Sequence, residues 1–361
     1  MLDDSLLDDS ARLADADTAG FLRAAALAGA QVRATSEAAA ELGVSAVLAD
    51  VRPRALVLVT RPGVGPAVAR LVGALLGPSC PVPVVVADSV PTWVGALDVV
   101  VAHTDDSNDV VLAETVDRAA RRGAQILLTA PQDGPVAAAA AGRALLLPPR
   151  IELPRGFDFV RALTGALIVL GQLGLLRTDL DMLADELDRE AERGHPMHES
   201  FVNPAKALAL RLADRTPLLW GLDEVAAAVA GHGAATLAGR AGVVSDVADY
   251  QQALTRPVLH RLALQGGSEA DLFADPDDGP SGAQLRVLLL AVRQGPAAEQ
   301  ARRTAERMLP GADLLEPAEE VSGGDAVCAA LLALRFELAA LYLGLAAGTL
   351  GGSGQFAPTA V

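Results

Sequence analysis

Lysine is almost missing from this 361-residue chain: of its 29 basic residues, all but Lys206 are arginine. Aromatic residues are scarce as well, at 3%. The core must therefore be built from alanine, valine and leucine, which a hydrophobic content of 51% allows. Cysteine is reduced to Cys80 and Cys328, too few and too far apart for a disulfide framework or a zinc site. They read as reduced structural thiols. Positive charge is also short, 29 basic against 45 acidic residues for a net charge of −16. Nucleic acid and anionic membranes both need concentrated positive charge, so neither is expected as a partner. One stretch invites a membrane test: residues 162–176 are nearly all apolar between Arg161 and Arg177. These fifteen residues fall short of the roughly 20 a spanning helix needs, so a buried helix is expected. Met1-Leu2-Asp3-Asp4-Ser5 is acidic where a signal peptide is basic, and a cytoplasmic location is expected.

What is present is ordered in blocks. Residues 1–50 are alanine-rich with helical spacing and read as a helical N-terminal extension. From there short β-branched runs alternate with helical segments. Strands are expected at Ala55–Val59, Val82–Val86, Val99–Ala102, Ile126–Thr129 and Ala144–Leu147. Helices are expected at Pro66–Leu76, at Val110–Arg122 with Gly123 as its cap, and from Val136. Continuous apolar strands of this kind belong to a parallel sheet covered on both faces. That places a first α/β domain at 51–156, followed by bridging helices at 157–194 (Phe157–Leu176 and Asp179–Arg193). The second half, 195–350, repeats the plan faintly. It has a helix at Pro204–Ala213, strands at Pro217–Trp220 and Arg286–Val292, and helices at Glu224–Ala230 and Val327–Leu345. A domain-scale duplication is the natural reading. Residues 351–361 read as a flexible tail.

The most informative stretch runs from Val99 to Asp109, a buried strand entering the loop His103-Thr104-Asp105-Asp106-Ser107-Asn108-Asp109 and then a helix. In α/β folds that junction binds ligands, because the amides at the helix N-terminus point at open space. Here three aspartates occupy it, and an anion is unwelcome.

Several phrases resemble the bifunctional phosphoglucose/phosphomannose isomerases, built from two sugar isomerase (SIS) domains. They are Pro91-Thr92-Trp93-Val94-Gly95, Asn203-Pro204-Ala205-Lys206 followed by Pro217-Leu218-Leu219-Trp220-Gly221, and Phe336-Glu337-Leu338-Ala339-Ala340-Leu341-Tyr342-Leu343. Their order and spacing cover residues 50–345, and the actinobacterial group labelled TobH is the most similar kind. The resemblance implies an α/β fold of two doubly wound, flavodoxin-like SIS domains with parallel sheets. It also implies a homodimer, no cofactor, and aldose–ketose isomerisation in which a carboxylate base moves a proton while a Ser/Thr loop holds the sugar phosphate.

Laid on the family's S-Y-S-G-N-T phosphate loop, this chain has Thr104, Asp105, Asp106, Ser107, Asn108 and Asp109, so Asp106 and Asp109 replace hydroxyl donors. An ionised aspartate about 5 Å from a phosphate dianion costs several kcal/mol even at an effective dielectric near 20. The family's G-x-G-G-S loop falls on Thr60-Arg61-Pro62-Gly63-Val64-Gly65, with Val64 where the serine would be. Arg61 then offers a cation near the ligand, or is a surface arginine on a turn. The base in N-E-N-A-K falls on Gly239 and the ring-opening histidine on Thr255, and the family's C-terminal lysine has no counterpart.

His103, Asp105, Asp106 and Asp109 suit either a hard divalent cation or a solvated loop capping its helix. His195 and His198 have a metal-compatible spacing without a third partner. His232 and His260 lie in the second half, where His260 beside Arg256 and Arg261 either meets an anionic group or is a structural helix residue. Asp249-Tyr250-Gln251-Gln252 is a polar interruption near the same place. No Walker loop, nucleophile elbow or dinucleotide fingerprint occurs. The expected ligand-binding residues are thus Arg61, Gly63, Thr104, Asp105, Asp106, Ser107, Asn108, Asp109 and His260, with no catalytic or metal residue assigned. The leading expectation is a catalytically degenerate isomerase relative. It would bind a sugar phosphate or related small ligand, or an enzyme of mannose phosphate metabolism. The alternative is an active glucose-6-phosphate/mannose-6-phosphate isomerase with relocated catalytic groups.

Overall fold

The computed structural model describes residues 3–266, 284–318, 321 and 323–351. The chain forms two compact units, Leu27–Asp188 and Met1–Ala26 with Arg189–Val361. The residues read as one N-terminal extension are therefore shared out, with the boundary at Ala26. The expected tail is outside the described residues except for Gly351.

The chain opens with a 3-10 turn at Asp4–Asp8 and helices α1 (Ser10–Ala16) and α2 (Phe21–Ala26). The unit from Leu27 then contains α3 (Ala28–Glu41), α4 (Val44–Leu48), β1 (Ala55–Thr60), α5 (Gly65–Leu76), β2 (Val84–Ala87) and β3 (Asp98–His103). It continues with α6 (Val110–Arg121), β4 (Gln125–Thr129), α7 (Gly134–Ala140), β5 (Leu145–Leu147) and α8 (Phe159–Gln172). The unit boundary falls within α9 (Leu180–Arg193). The five strands form a wholly parallel sheet in the order β2-β1-β3-β4-β5. β1 and β3 are central and buried, with Val57 opposite Val100 and Thr60 opposite His103. The side chains alternate between faces as the pleat requires. Val57, Val59, Val100, Ala102, Ile126 and Leu128 pack with Leu112, Val116 and Val136 from α6 and α7. Leu58, Val101 and His103 face Val68 of α5 and Ala162 and Ala166 of α8. Gly123 caps α6 as expected, with φ of +82°.

The second unit adds α10 (Pro204–Leu212), β6 (Thr216–Gly221), α11 (Glu224–Ala241), β7 (Asp246–Asp249), α12 (Tyr250–Leu254) and α13 (Pro257–Gly266). It ends with β8 (Leu285–Leu290), α14 (Pro296–Met308), β9 (Asp313–Leu315) and α15 (Asp325–Ala346). Its parallel sheet has the order β7-β6-β8-β9, the order of the first four strands in the other unit. β7 and β9 escape a hydrophobicity reading because aspartates stand at Asp246, Asp249 and Asp313 and each strand has four residues or fewer. α11 runs on past Ala230 to Gly242, whose φ of +68° ends it.

α15 is long and apolar enough to cross a membrane by length and composition, yet from Ala326 to Ala346 it is buried in the protein. It also carries charge there. Arg335 makes a two-pronged ion pair with Glu190, Nε to Oε1 at 2.6 Å and Nη2 to Oε2 at 3.1 Å. Glu337 lies 3.1 Å from His232 Nε2. Buried charges are tolerated only when paired this way.

Candidate functional site

β1 leaves through α5 toward β2 and β3 leaves through α6 toward β4, so the crevice beyond their C-terminal ends is the topological switch point of the sheet. The loops after these strands bring together Arg61, Gly63 and the whole 104–109 turn. Three of that turn's six polar side chains make local hydrogen bonds. Thr104 Oγ1 accepts from the Asp106 amide at 3.1 Å, and Asp106 Oδ1 accepts from the Asn108 amide at 2.9 Å. Asp109 Oδ1 accepts from the Leu112 amide at 3.0 Å, capping α6. The Ser107 carbonyl accepts from the Val136 amide at 3.3 Å. Gly134 makes that approach possible, since a Cβ there would lie 2.6 Å from the Ser107 oxygen.

Arg61 reaches across the crevice. Its Nε donates to Asp109 Oδ2 at 2.6 Å, its Nη2 to Asp109 Oδ1 at 3.0 Å, and its Nη1 to the Asp88 carbonyl at 2.8 Å. The side chains are 17% and 7% exposed, so this is a largely desolvated, two-pronged pair. Arg61 is therefore neither an open cation nor a surface residue on a turn. At the switch point the Arg61 guanidinium thus faces the carboxylate of Asp109.

A second polar cluster lies on the α8 side of the same sheet. His103 Nδ1 is 2.8 Å from Thr129 Oγ1, and His103 Nε2 is 2.6 Å from Asp158 Oδ2. Arg161, one turn into α8, stands 3.6 Å from the same Asp158 oxygen and 3.5 Å from the Leu147 carbonyl. Burial pushes the Asp158 carboxyl up, but the hydrogen bond and charge of His103 and the charge of Arg161 outweigh it, and the group titrates below its ordinary value. Burial lowers the Arg161 guanidinium, against the pull of Asp158 and Asp105. Asp158 and Arg161 form part of the wall of a cavity of about 440 Å³, which α3 and the segments after β4 and β5 complete. Gln31 of α3 lines it, 4% exposed, and its Oε1 is buried with no hydrogen-bond partner. An unpaired buried amide oxygen costs about 1–3 kcal/mol.

Two of the acidic loop's carboxylates are engaged by these bonds. Asp109 is held by Arg61, Asp106 caps the turn, and Asp105 lines the cavity near Arg161. Among the described residues no three His, Cys, Asp or Glu side chains converge as a metal site. His195 and His198 meet edge to face at 6.2 Å, and Glu192 lies 3.6 Å from His198 Nε2, but the three do not converge as a metal site.

His260 belongs to the other unit. Its ring lies parallel to that of Trp220, with centroids 6.3 Å apart, and its Nε2 is buried without a partner. Trp220 Nε1 donates to Asp246 at 3.1 Å, and Arg256 is paired with the same carboxylate at 2.7 Å. At this sheet's own switch point, between β6 and β8, Asp223 caps α11 through Oδ1 while Oδ2 accepts from the Val292 and Arg293 amides at 2.9 and 3.1 Å. A chain carboxylate thus sits in both crevices. Gly239 lies in α11 and Thr255 follows α12. Lys206 has its Nζ on the Pro196 and His198 carbonyls at 2.8 and 2.7 Å, bracing that loop, and burial lowers its ammonium pKa.

In the sequence, Thr129, Asp158, Arg161 and Gln31 carry no signal of a site. Arg161 reads there only as the end of an apolar run, and nothing local marks Gln31, which sits in an alanine-rich helix more than a hundred residues from Asp158. The phrase around Trp93 proves structural. Arg54 lies over the Trp93 ring at 5.6 Å and pairs with Asp98, which begins β3 at the end away from the crevice.

No protein-family model and no curated protein matches the sequence. Solved structures do match in fold. Tagatose-6-phosphate ketose/aldose isomerase from Escherichia coli superposes with a TM-score of 0.60 at 12% identity, over 90% of this chain and 92% of that one. The C-terminal domain of glucosamine-fructose-6-phosphate aminotransferase from Francisella tularensis gives 0.59 at 10% identity, over 88% and 94%. A candidate phosphosugar isomerase from Silicibacter pomeroyi gives 0.59 at 14% identity, over 91% and 98%. At such identities the likeness is one of fold: the two parallel-sheet units of this chain have the α/β architecture of these solved structures.

Proposed function

We propose that this protein binds a sugar or sugar derivative on a sugar isomerase scaffold without catalysing aldose–ketose isomerisation, and serves hexose or mannose phosphate metabolism as a ligand-binding or regulatory component. The observation that carries this reading is the Arg61–Asp109 pair at the switch point. A phosphate entering there must displace Asp109 from Arg61 and then remain beside it, at a cost of about 3 kcal/mol per pair of unit charges 5 Å apart at a dielectric near 20. The Gly239 and Thr255 positions support the same reading, since neither side chain serves as a base. The sugar as ligand class is drawn from the fold neighbours, an argument by analogy. A homodimer is part of the proposal and is read out by analytical ultracentrifugation.

The test is a coupled assay with fructose 6-phosphate and mannose 6-phosphate on repurified protein. No turnover above background is expected, and turnover that persists through repurification overturns the reading.

One observation favours the active-isomerase alternative: His103 and Asp158, an acid–base pair 2.6 Å apart, stand beside the cavity with Arg161. General acid–base catalysis needs such a pair within reach of a bound substrate. If that alternative holds, the assay is positive and Asp158→Asn abolishes the turnover.

A further inference from the structure

The cavity walled by α3 and α8 has features that the switch-point crevice lacks. It is open space of about 440 Å³ within the Leu27–Asp188 unit, in the size range of about 300–1,000 Å³ usual for small-molecule sites. Its hydrogen-bonding groups are not all spent. Gln31 Oε1 accepts nothing although the residue is only 4% exposed. Arg161 is 8% exposed, yet its two contacts to protein oxygens are at 3.5 and 3.6 Å, long for a group with five donors in a fixed fork. Buried polar groups in folded proteins are satisfied by protein, water or ligand, and a polar cavity beside such groups is where the missing partner goes.

The charge on the walls decides which ligand. Three arginines (150, 155 and 161) and three acids (Asp105, Glu152 and Asp158) line the cavity, so it has no excess of positive charge. Arg150 is moreover paired with Glu41, which is not on the wall. A phosphate dianion would meet carboxylates without a surplus cation to hold it. A neutral molecule carrying several hydroxyls meets donors on Arg161 and acceptors on Asp158, Asp105 and Gln31, arranged beside apolar side chains such as Ile151 and Leu153 that suit its C–H faces.

From this we infer that the cavity binds an uncharged polyhydroxylated molecule of monosaccharide size, an unphosphorylated sugar or sugar alcohol, through Arg161, Asp158 and Gln31. This ligand class rests on the reading that the protein binds a sugar without isomerising it, and it removes the phosphate from that ligand. Binding and turnover are separate measurements, so the two fail separately.

The experiment is titration calorimetry of the full chain with D-glucose, D-mannose, D-fructose and sorbitol, each sugar paired with its 6-phosphate. At least one uncharged probe is expected to bind saturably, with its 6-phosphate at least ten-fold weaker. Gln31→Leu removes the unpaired oxygen at similar size. It is expected to raise the melting temperature of the unliganded protein and to weaken the bound probe at least ten-fold. Ala34→Phe, which projects into the cavity, is expected to abolish binding while leaving the circular dichroism unchanged. Absence of binding by all four uncharged probes overturns the inference. So does tighter binding of a 6-phosphate than of its parent sugar, or binding that neither variant weakens. Isomerase turnover in the coupled assay, by contrast, overturns the reading beneath it and leaves the cavity result to stand on its own titration.

Discussion

Arg61 and Asp109 meet across the crevice at the ends of β1 and β3, Nε to Oδ2 at 2.6 Å and Nη2 to Oδ1 at 3.0 Å. Their separation in sequence is 48 residues, and the parallel register of Thr60 with His103 brings their loops side by side. Asp109 also keeps its helix-capping bond to Leu112, so one carboxylate serves both α6 and Arg61.

Asp109→Asn keeps a capping oxygen and removes the charge. Arg61 is then left largely buried without its counter-ion, and unfolding in urea is expected to show a loss of about 2–3 kcal/mol, somewhat less than for a fully buried pair. The double variant Arg61→Leu with Asp109→Asn is expected to recover part of that loss. Additive losses would mean that the two residues do not act as a pair.

Asp109→Ser goes further and frees Arg61 and the start of α6 for an outside anion. Inorganic phosphate at millimolar concentration is expected to raise the melting temperature of this variant by several degrees and to leave the parent unchanged. Equal shifts in both proteins would show that Asp109 does not exclude phosphate.

Asp158 sets an acid limit. Its carboxyl titrates below its ordinary value of 3.8 in the folded protein, so the unfolded chain takes up the proton first as the pH falls. Its contribution is fully present above the unfolded pKa and is lost as the pH drops through the folded one. Between pH 5 and pH 2 the parent is expected to lose stability more steeply than Asp158→Asn, measured by urea midpoints. Parallel slopes would contradict the shift.

Glu190 and Arg335 are 1% and 9% exposed at their side chains. Glu190→Gln leaves a guanidinium uncompensated inside the most buried helix of its unit, and a loss of about 3–5 kcal/mol is expected by chemical denaturation. A change below 1 kcal/mol would mean that the Glu316 carbonyl, which accepts from Arg335 Nη1 at 3.2 Å, or water satisfies Arg335 without Glu190.

Lys206 braces the loop that carries Phe201, which is 81% exposed. Lys206→Met removes donors from two carbonyls at a cost of about 1–2 kcal/mol. Cleavage by chymotrypsin after Phe201 is expected to speed up several-fold, followed by mass spectrometry. Unchanged cleavage would show that the loop holds itself.

The residues differ in how far they could be read in advance. β1, β3, β4 and α6 announced themselves through β-branched runs, punctuating prolines and Gly123, because those signals are local and the elements are buried on a regular period. β7 and β9 did not, because Asp246 and Asp313 sit in strands too short for a period to develop, and pairing with Trp220 and Arg286 is what accommodates them. The 104–109 turn was legible as an acidic helix start. That Asp109 would be answered by Arg61 was not, since nothing in either loop specifies the other.

The order of apolar and polar residues was by itself enough to determine an α/β chain with parallel sheets, its central strands and an acidic turn at the place where such folds meet ligands, because backbone geometry converts local periodicity directly into buried faces. Which carboxylates are neutralised, which arginine stays under-bonded beside open space, and that Gln31 and Asp158 share one cavity were decided by tertiary structure alone. Those properties depend on distances between segments far apart in sequence, and in a desolvated setting a few ångströms separate a closed ion pair from an open binding group.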